Sequence, residues 1–198
     1  MHQKLKSKVN LQEYIQKGVD FDTYLQQTEK VAEAGTDELV EYYVINLARM
    51  RRIYKTVNPE EQQKQELLGI NQKITFLVIS EGWCGDAAQI IPVVAKMVDA
   101  SENLELSIVY RDENPELMDE YLTNGSRSIP IIIGVDENGN EIMKYGPRPK
   151  WGEPILQAYK DGEFSKEEFL LTLQKTYTRD RGVSIINEIL EHLRTNHE

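Results

Sequence analysis

The chain has 198 residues, 40% hydrophobic and 28% charged, which suits a soluble globular protein with a sizeable core. Its net charge of −10 argues against general affinity for nucleic acid or an anionic membrane. One cysteine excludes any intrachain disulfide, and no apolar run approaches the roughly 20 residues of a membrane span.

The stretch Met1 to Val9 is basic and polar without the apolar core of a signal peptide, so a cytoplasmic location is expected. Residues 1 to about 66 read as helical. Asn10 with Glu13 makes a start and Gly18 a stop, and a second helix begins near Asp20 or Asp22 and ends at Gly35. Thr36 is the expected cap of the longest helix. Val40, Tyr43, Val44, Leu47, Met50 and Tyr54 form its apolar stripe, with Glu41, Arg49, Arg52 and Lys55 on the other side. The run Arg49-Met50-Arg51-Arg52 reads as a solvated face balanced by nearby acids rather than an anion patch. Pro59 is expected at the first position of a short polar helix.

From Ile70 the pattern alternates between strand and helix. Ile74 to Ser80 suits a strand buried on both faces, and a helix is predicted from Cys84 to Ala100. Leu104 to Tyr110 is a second strand, and Asn114 to Leu122 a helix with Pro115 in its first turn. Ile129 to Val135 and Glu141 to Tyr145 flank the turn Asp136 to Asn140. The chain is helical again after Gly146-Pro147-Arg148-Pro149, in three segments. Trp151 to Lys160 comes first. The next starts at a Ser165/Glu168 capping box and buries Phe169, Leu170 and Leu173, and the last begins at Gly182 and Ser184. The elements predict an α/β fold with two parallel strands joined to an antiparallel pair.

Chemistry concentrates where the first strand ends. Gly82-Trp83-Cys84-Gly85-Asp86-Ala87 hands the chain from a strand to a helix N-terminus, where free N–H groups and the helix dipole favour a thiolate. Asp86 and Glu81 oppose it by like-charge repulsion. From its residues alone, Cys84 is either a reactive thiol or a small buried side chain. His2, His192 and His197 lack ligand spacing, so no metal site is expected.

Trp83-Cys84-Gly85 at this junction, with Ile129-Pro130 leading into a later strand, resembles the thioredoxin-like superfamily. Glu-X-Trp-Cys-Gly-Asp with Gly-Pro-Arg-Pro is closest to a bacterial branch of it. The resemblance implies a thioredoxin-like fold over residues 70–162. Residues 1–69 are then a helical N-terminal extension packing on the core, and residues 163–198 are C-terminal helices. It also implies a cis peptide bond before Pro130, lying against the active cysteine. Catalysis would fall to Cys84, and recognition of a peptide or thiol to Trp83, Gly85, Asp86, Ile129 and Pro130. Trp83 is alternatively a packing residue. Arg148 and Trp151 line the same end of the sheet or, the favoured reading, hold the final helices.

Two departures constrain the function. Ala87 stands where the family has a resolving cysteine, and Val78 where many members have a buried acid. A two-cysteine cycle is therefore excluded. One implied function is monothiol thiol–disulfide oxidoreduction in redox homeostasis, with a protein or low-molecular-weight thiol or disulfide as partner. Glutathione is then the resolving thiol. The other is a non-catalytic binding module that has lost redox turnover. No bound cofactor is expected, since an iron–sulfur cluster shared with glutathione would rest on the Cys-Gly start alone. The oligomeric state is left open.

Overall fold

The computed structural model describes residues 9–195. Residues 1–8, with most of the stretch weighed as a signal peptide and with His2, lie outside the described residues, as does His197.

A four-stranded mixed sheet forms the centre, in the order β2-β1-β3-β4. Its strands are β1 (Ile74–Ser80), β2 (Leu104–Tyr110), β3 (Ile131–Asp136) and β4 (Glu141–Tyr145). β1 runs parallel to β2, with Ile74 opposite Leu104, and antiparallel to β3, with Ile74 opposite Asp136. Six of its seven residues are buried, so both faces of the sheet are covered at this strand, as the unbroken apolar run requires. The Asp136 carboxylate accepts from the Asn138 and Asn140 N–H groups and shapes the β3–β4 hairpin.

The helices are α1 (Leu11–Lys17), α2 (Phe21–Ala34), α3 (Val40–Thr56), α4 (Glu61–Leu68), α5 (Ala87–Asp99), α6 (Pro115–Glu120), α7 (Gly152–Lys160), α8 (Lys166–Asp180) and α9 (Val183–Thr195). α2 starts where Asp20 accepts from the Thr23 N–H and stops at Gly35, in the left-handed conformation. α8 carries the full Ser165/Glu168 capping box. α3 packs on α2 and α5, α9 packs on β4, α4 and α5, and α7 packs on α8.

The segment between α1 and α2 closes the outer edge of β2. Val19 and Ile108 exchange both backbone hydrogen bonds at 2.9 and 2.8 Å, and the Ser107 hydroxyl donates to the Ile15 carbonyl at 2.8 Å. Gly18 permits this approach, because a Cβ there would sit 2.0 Å from Ser107 Oγ. Part of an exposed strand edge is thereby protected.

Several boundaries differ from the sequence expectation. α3 starts at Val40, not after a Thr36 cap: the Asp37 carboxylate accepts from the Leu39 N–H and holds a turn before the helix. Its buried face is Tyr43, Asn46, Leu47, Met50 and Ile53, whereas Val44 is 52% exposed. Apolar side chains lie on both sides of this helix, so hydropathy alone chose the wrong flank. α4 opens with Glu60 as N-cap, paired with Gln63, rather than with Pro59 inside it. α5 starts at Ala87, leaving Cys84 on the preceding turn. α6 ends at Glu120, and β3 begins at Ile131, so Ile129–Pro130 precedes the strand. On α8, Leu170 faces solvent and Tyr177 takes the inner position.

Candidate functional site

Cys84 lies where β1 gives way to α5. The turn that carries it is clamped from the N-terminal side. Asn46 Nδ2, buried on α3, donates to the Gly82 carbonyl at 3.1 Å. A Cβ on Gly82 would lie 2.7 Å from the Tyr43 ring, so only glycine lets α3 close on the turn.

The thiol is 8% exposed and donates to the Ile129 carbonyl at 3.4 Å. The peptide bond from Ile129 to Pro130 is cis, as is that from Gly146 to Pro147. The Ala87 N–H points at Cys84 Sγ from 3.5 Å, the helix-terminal contact that favours a thiolate. Desolvation outweighs it. Burial first, and the Asp86 carboxylate second, push the Cys84 thiol up to about 12. At neutral pH it is a protonated thiol.

Asp86 is largely but not fully buried, its side chain 10% exposed. Its Oδ2 lies 2.6 Å from Arg148 Nη2, and its Oδ1 accepts from the Tyr177 hydroxyl at 2.9 Å. Burial raises the carboxyl, while Arg148, Tyr177 and Arg49 oppose the rise. Tyr177 is itself driven well above the ordinary phenol range, chiefly by burial and then by Asp86. The Trp151 ring meets Tyr177 edge-on, with centroids 4.7 Å apart. Arg148 Nε and Trp151 Nε1 are buried without a hydrogen-bond partner. Across the first turn of α5, Gln89 Nε2 donates to Gln174 Oε1 at 2.6 Å. α8 and the segment before α7 thus close over Asp86 and the first turn of α5, beside the thiol.

The predicted residues therefore occupy distinct places. Cys84, Asp86, Ile129 and Pro130 come together in a buried cluster, and Ala87 and Val78 are packed within the core. Gly85 and Trp83 are half-buried at its rim, with Arg111 over the Trp83 ring at 4.9 Å. Glu81, expected to act against the thiolate, instead accepts from the Asp112 N–H at 2.9 Å. Arg148 and Trp151 do contact the site.

Two residues were missed. Arg49, placed on the solvated face, is half-buried, and its Nη1 donates to Asn46 Oδ1 at 2.6 Å. Burial lowers its pKa, as does Arg52 beside it, while Asp86 opposes the shift. Nothing in the apolar stripe announced this placement. Tyr177 was legible in principle, since it continues the four-residue spacing from Phe169 and Leu173. Among the described residues, no group of three or more His, Cys, Asp or Glu side chains is placed to hold a metal ion.

A family model described as thioredoxin matches residues 33–160, well over half of the chain. The chain belongs to the thioredoxin family, and its sheet and helices form the thioredoxin-like α/β fold. The match starts within the N-terminal helical region and takes in α3 and α4. A protein of unknown function from Pseudomonas aeruginosa has a similar structure. Its TM-score is 0.66 at 17% identity, covering 94% of this chain and 98% of that one. An HIV epitope-scaffold is similar at a TM-score of 0.65 and 16% identity, covering 94% and 99%. Such identities establish likeness of fold alone. No curated protein matches the sequence. Among the described residues, no helix is long and apolar enough to cross a membrane.

Proposed function

We propose that this thioredoxin-family protein is a non-catalytic binding module, a thioredoxin fold that has lost redox turnover. The observation that carries this reading is the state of Cys84, a buried thiol donating to Ile129 and pushed up to about 12, with no second thiol in the chain. A thiolate attacks disulfides, and a thiol this weakly acidic is almost wholly protonated at pH 7. The part of the site nearest solvent is the rim formed by Trp83 and Gly85, with Arg111 on the tryptophan ring. A protein partner docks there. Asp86, Ile129 and Pro130 then act as the supporting layer beneath it.

A second reading is favoured by the Ala87 N–H directed at Sγ. Here Cys84 is a monothiol oxidoreductase whose nucleophile is released when α8 moves away. The thiolate attacks a disulfide sulfur, a mixed disulfide forms, and the other sulfur leaves as a thiolate. Glutathione thiolate then attacks the mixed disulfide, giving a glutathione disulfide and restoring Cys84. Cytoplasmic redox homeostasis is the setting this would require.

One experiment separates the two. Wild type and Cys84→Ser are incubated with glutathione disulfide from pH 6 to 10, and adducts are followed by intact-mass spectrometry. The non-catalytic reading expects no adduct near pH 7 in folded protein. Rapid, Cys84-dependent glutathionylation at pH 7 would overturn it and establish the monothiol reading.

A further inference from the structure

We propose that a second site, which shares Gln89 and Tyr177 with the cover of the thiol, binds a small molecule carrying a phosphoryl group on an apolar body. It is a groove of about 370 Å³ where α3, α5 and the α8–α9 junction meet. Two guanidinium groups line it, those of Arg52 and Arg181, and no acidic side chain does. In a chain of net charge −10 this is an unusual concentration of positive charge. Neither arginine has an ion-pair partner among the described residues. Asp180, next to Arg181 in the chain, is engaged instead by the Ser184 N–H and hydroxyl.

The backbone at Arg181 is a separate observation. It ends α8 in the left-handed conformation, at φ 54, with Gly182 following at φ 84. Glycine or asparagine is the usual residue at such a stop, because a Cβ is strained there. An arginine held despite that strain places its side chain at the groove, and a functional demand explains the choice. Gly182 in turn lets the junction approach α5, because a Cβ there would sit 2.9 Å from Val93 Cγ2.

The lining defines the ligand's chemistry. Guanidinium forks match the spaced oxygens of a dianionic phosphoryl group. The Thr56 and Thr178 hydroxyls donate to the Arg52 and Gln174 carbonyls, so the arginines are the principal donors offered. Ile53, Val57, Val93 and Ile185 supply an apolar floor that suits a ring or short chain on the same molecule.

Calorimetric titration of the full chain with phenyl phosphate tests the proposal, with inorganic phosphate and phenylacetate as comparisons. Phenyl phosphate should bind saturably and more tightly than either, and Arg52→Gln and Arg181→Gly should each weaken it by about tenfold or more. Arg181→Gly suits the left-handed backbone, so its loss of binding cannot be ascribed to misfolding. Arg127→Gln removes the same charge elsewhere and should bind as wild type. Cys84→Ser should do so too, which separates this site from the reading of the thiol. Absence of binding up to about 10 mM phenyl phosphate would overturn the proposal. So would equal weakening by Arg127→Gln, or phenylacetate binding as tightly as phenyl phosphate.

Discussion

Arg148 Nη2 lies 2.6 Å from Asp86 Oδ2, joining the segment before α7 to the residue two past the cysteine. Asp86 lies in the turn that leads into α5. Here its carboxylate draws the C-terminal part of the chain over the site, through Arg148 and through Tyr177 on α8. The same charge opposes ionisation of Cys84. One side chain therefore both closes the site and adds to the burial that keeps its thiol protonated.

Asp86→Asn is expected to destabilise the fold by about 3 kcal/mol, because it leaves the largely buried Arg148 guanidinium without its counter-charge. It should also lower the Cys84 pKa by removing the like charge. Chemical denaturation measures the first effect. The pH dependence of iodoacetamide labelling under native conditions measures the second, and a labelling profile unchanged from wild type would refute the electrostatic role assigned to Asp86.

The raised thiol makes stability depend on pH with a definite sign. In the unfolded chain Cys84 ionises near its ordinary value of about 8.5, and in the folded protein near 12. Between those values the folded state holds a proton that the unfolded state has lost, so stability falls as pH rises. Below pH 8 the contribution is fully present. Wild type should therefore lose stability relative to Cys84→Ser between about pH 9 and 12. Tyrosines and lysines titrate in both proteins and cancel in the difference, which denaturant melts at several pH values would measure.

The succession of strands and helices along the chain and the cysteine at the mouth of α5 were legible because they rest on short-range patterns. The apolar run of β1, the Asp136–Asn140 turn and the Ser165/Glu168 box each declare themselves within a few residues. The buried state of Cys84 was not legible. It depends on contacts 91 residues away, between Tyr177 and Asp86, and 45 away, with the Ile129 carbonyl. Arg49 shows the same limit from the other side. A charged residue on a helix reads as solvated until the partner surface is known, and here that surface is the Asp86 site itself.

The hold of α3 on the active-site turn should be measurable. Asn46→Ala leaves the Gly82 carbonyl without its buried donor and is expected to cost about 1–3 kcal/mol. Gly82→Ala forces a methyl against the Tyr43 ring and should cost a similar amount by overpacking. Because both act on one contact, the double variant should be less destabilised than the sum of the singles. Strict additivity in denaturation experiments would show that α3 and the turn are not coupled.

Burial is the larger cause of the raised thiol and Asp86 the smaller, and removing the cover tests that ranking. Tyr177→Ala deletes the ring that packs on Trp151 and donates to Asp86, while leaving the Asp86 charge in place. It should cost about 3–5 kcal/mol as a buried aromatic truncation. If desolvation dominates, Cys84 in this variant labels at lower pH than in Asp86→Asn. Labelling must be insensitive to low denaturant to exclude global unfolding as its route. A larger shift in Asp86→Asn than in Tyr177→Ala would reverse the ranking and make Asp86, rather than the α8 cover, the main control on the thiol.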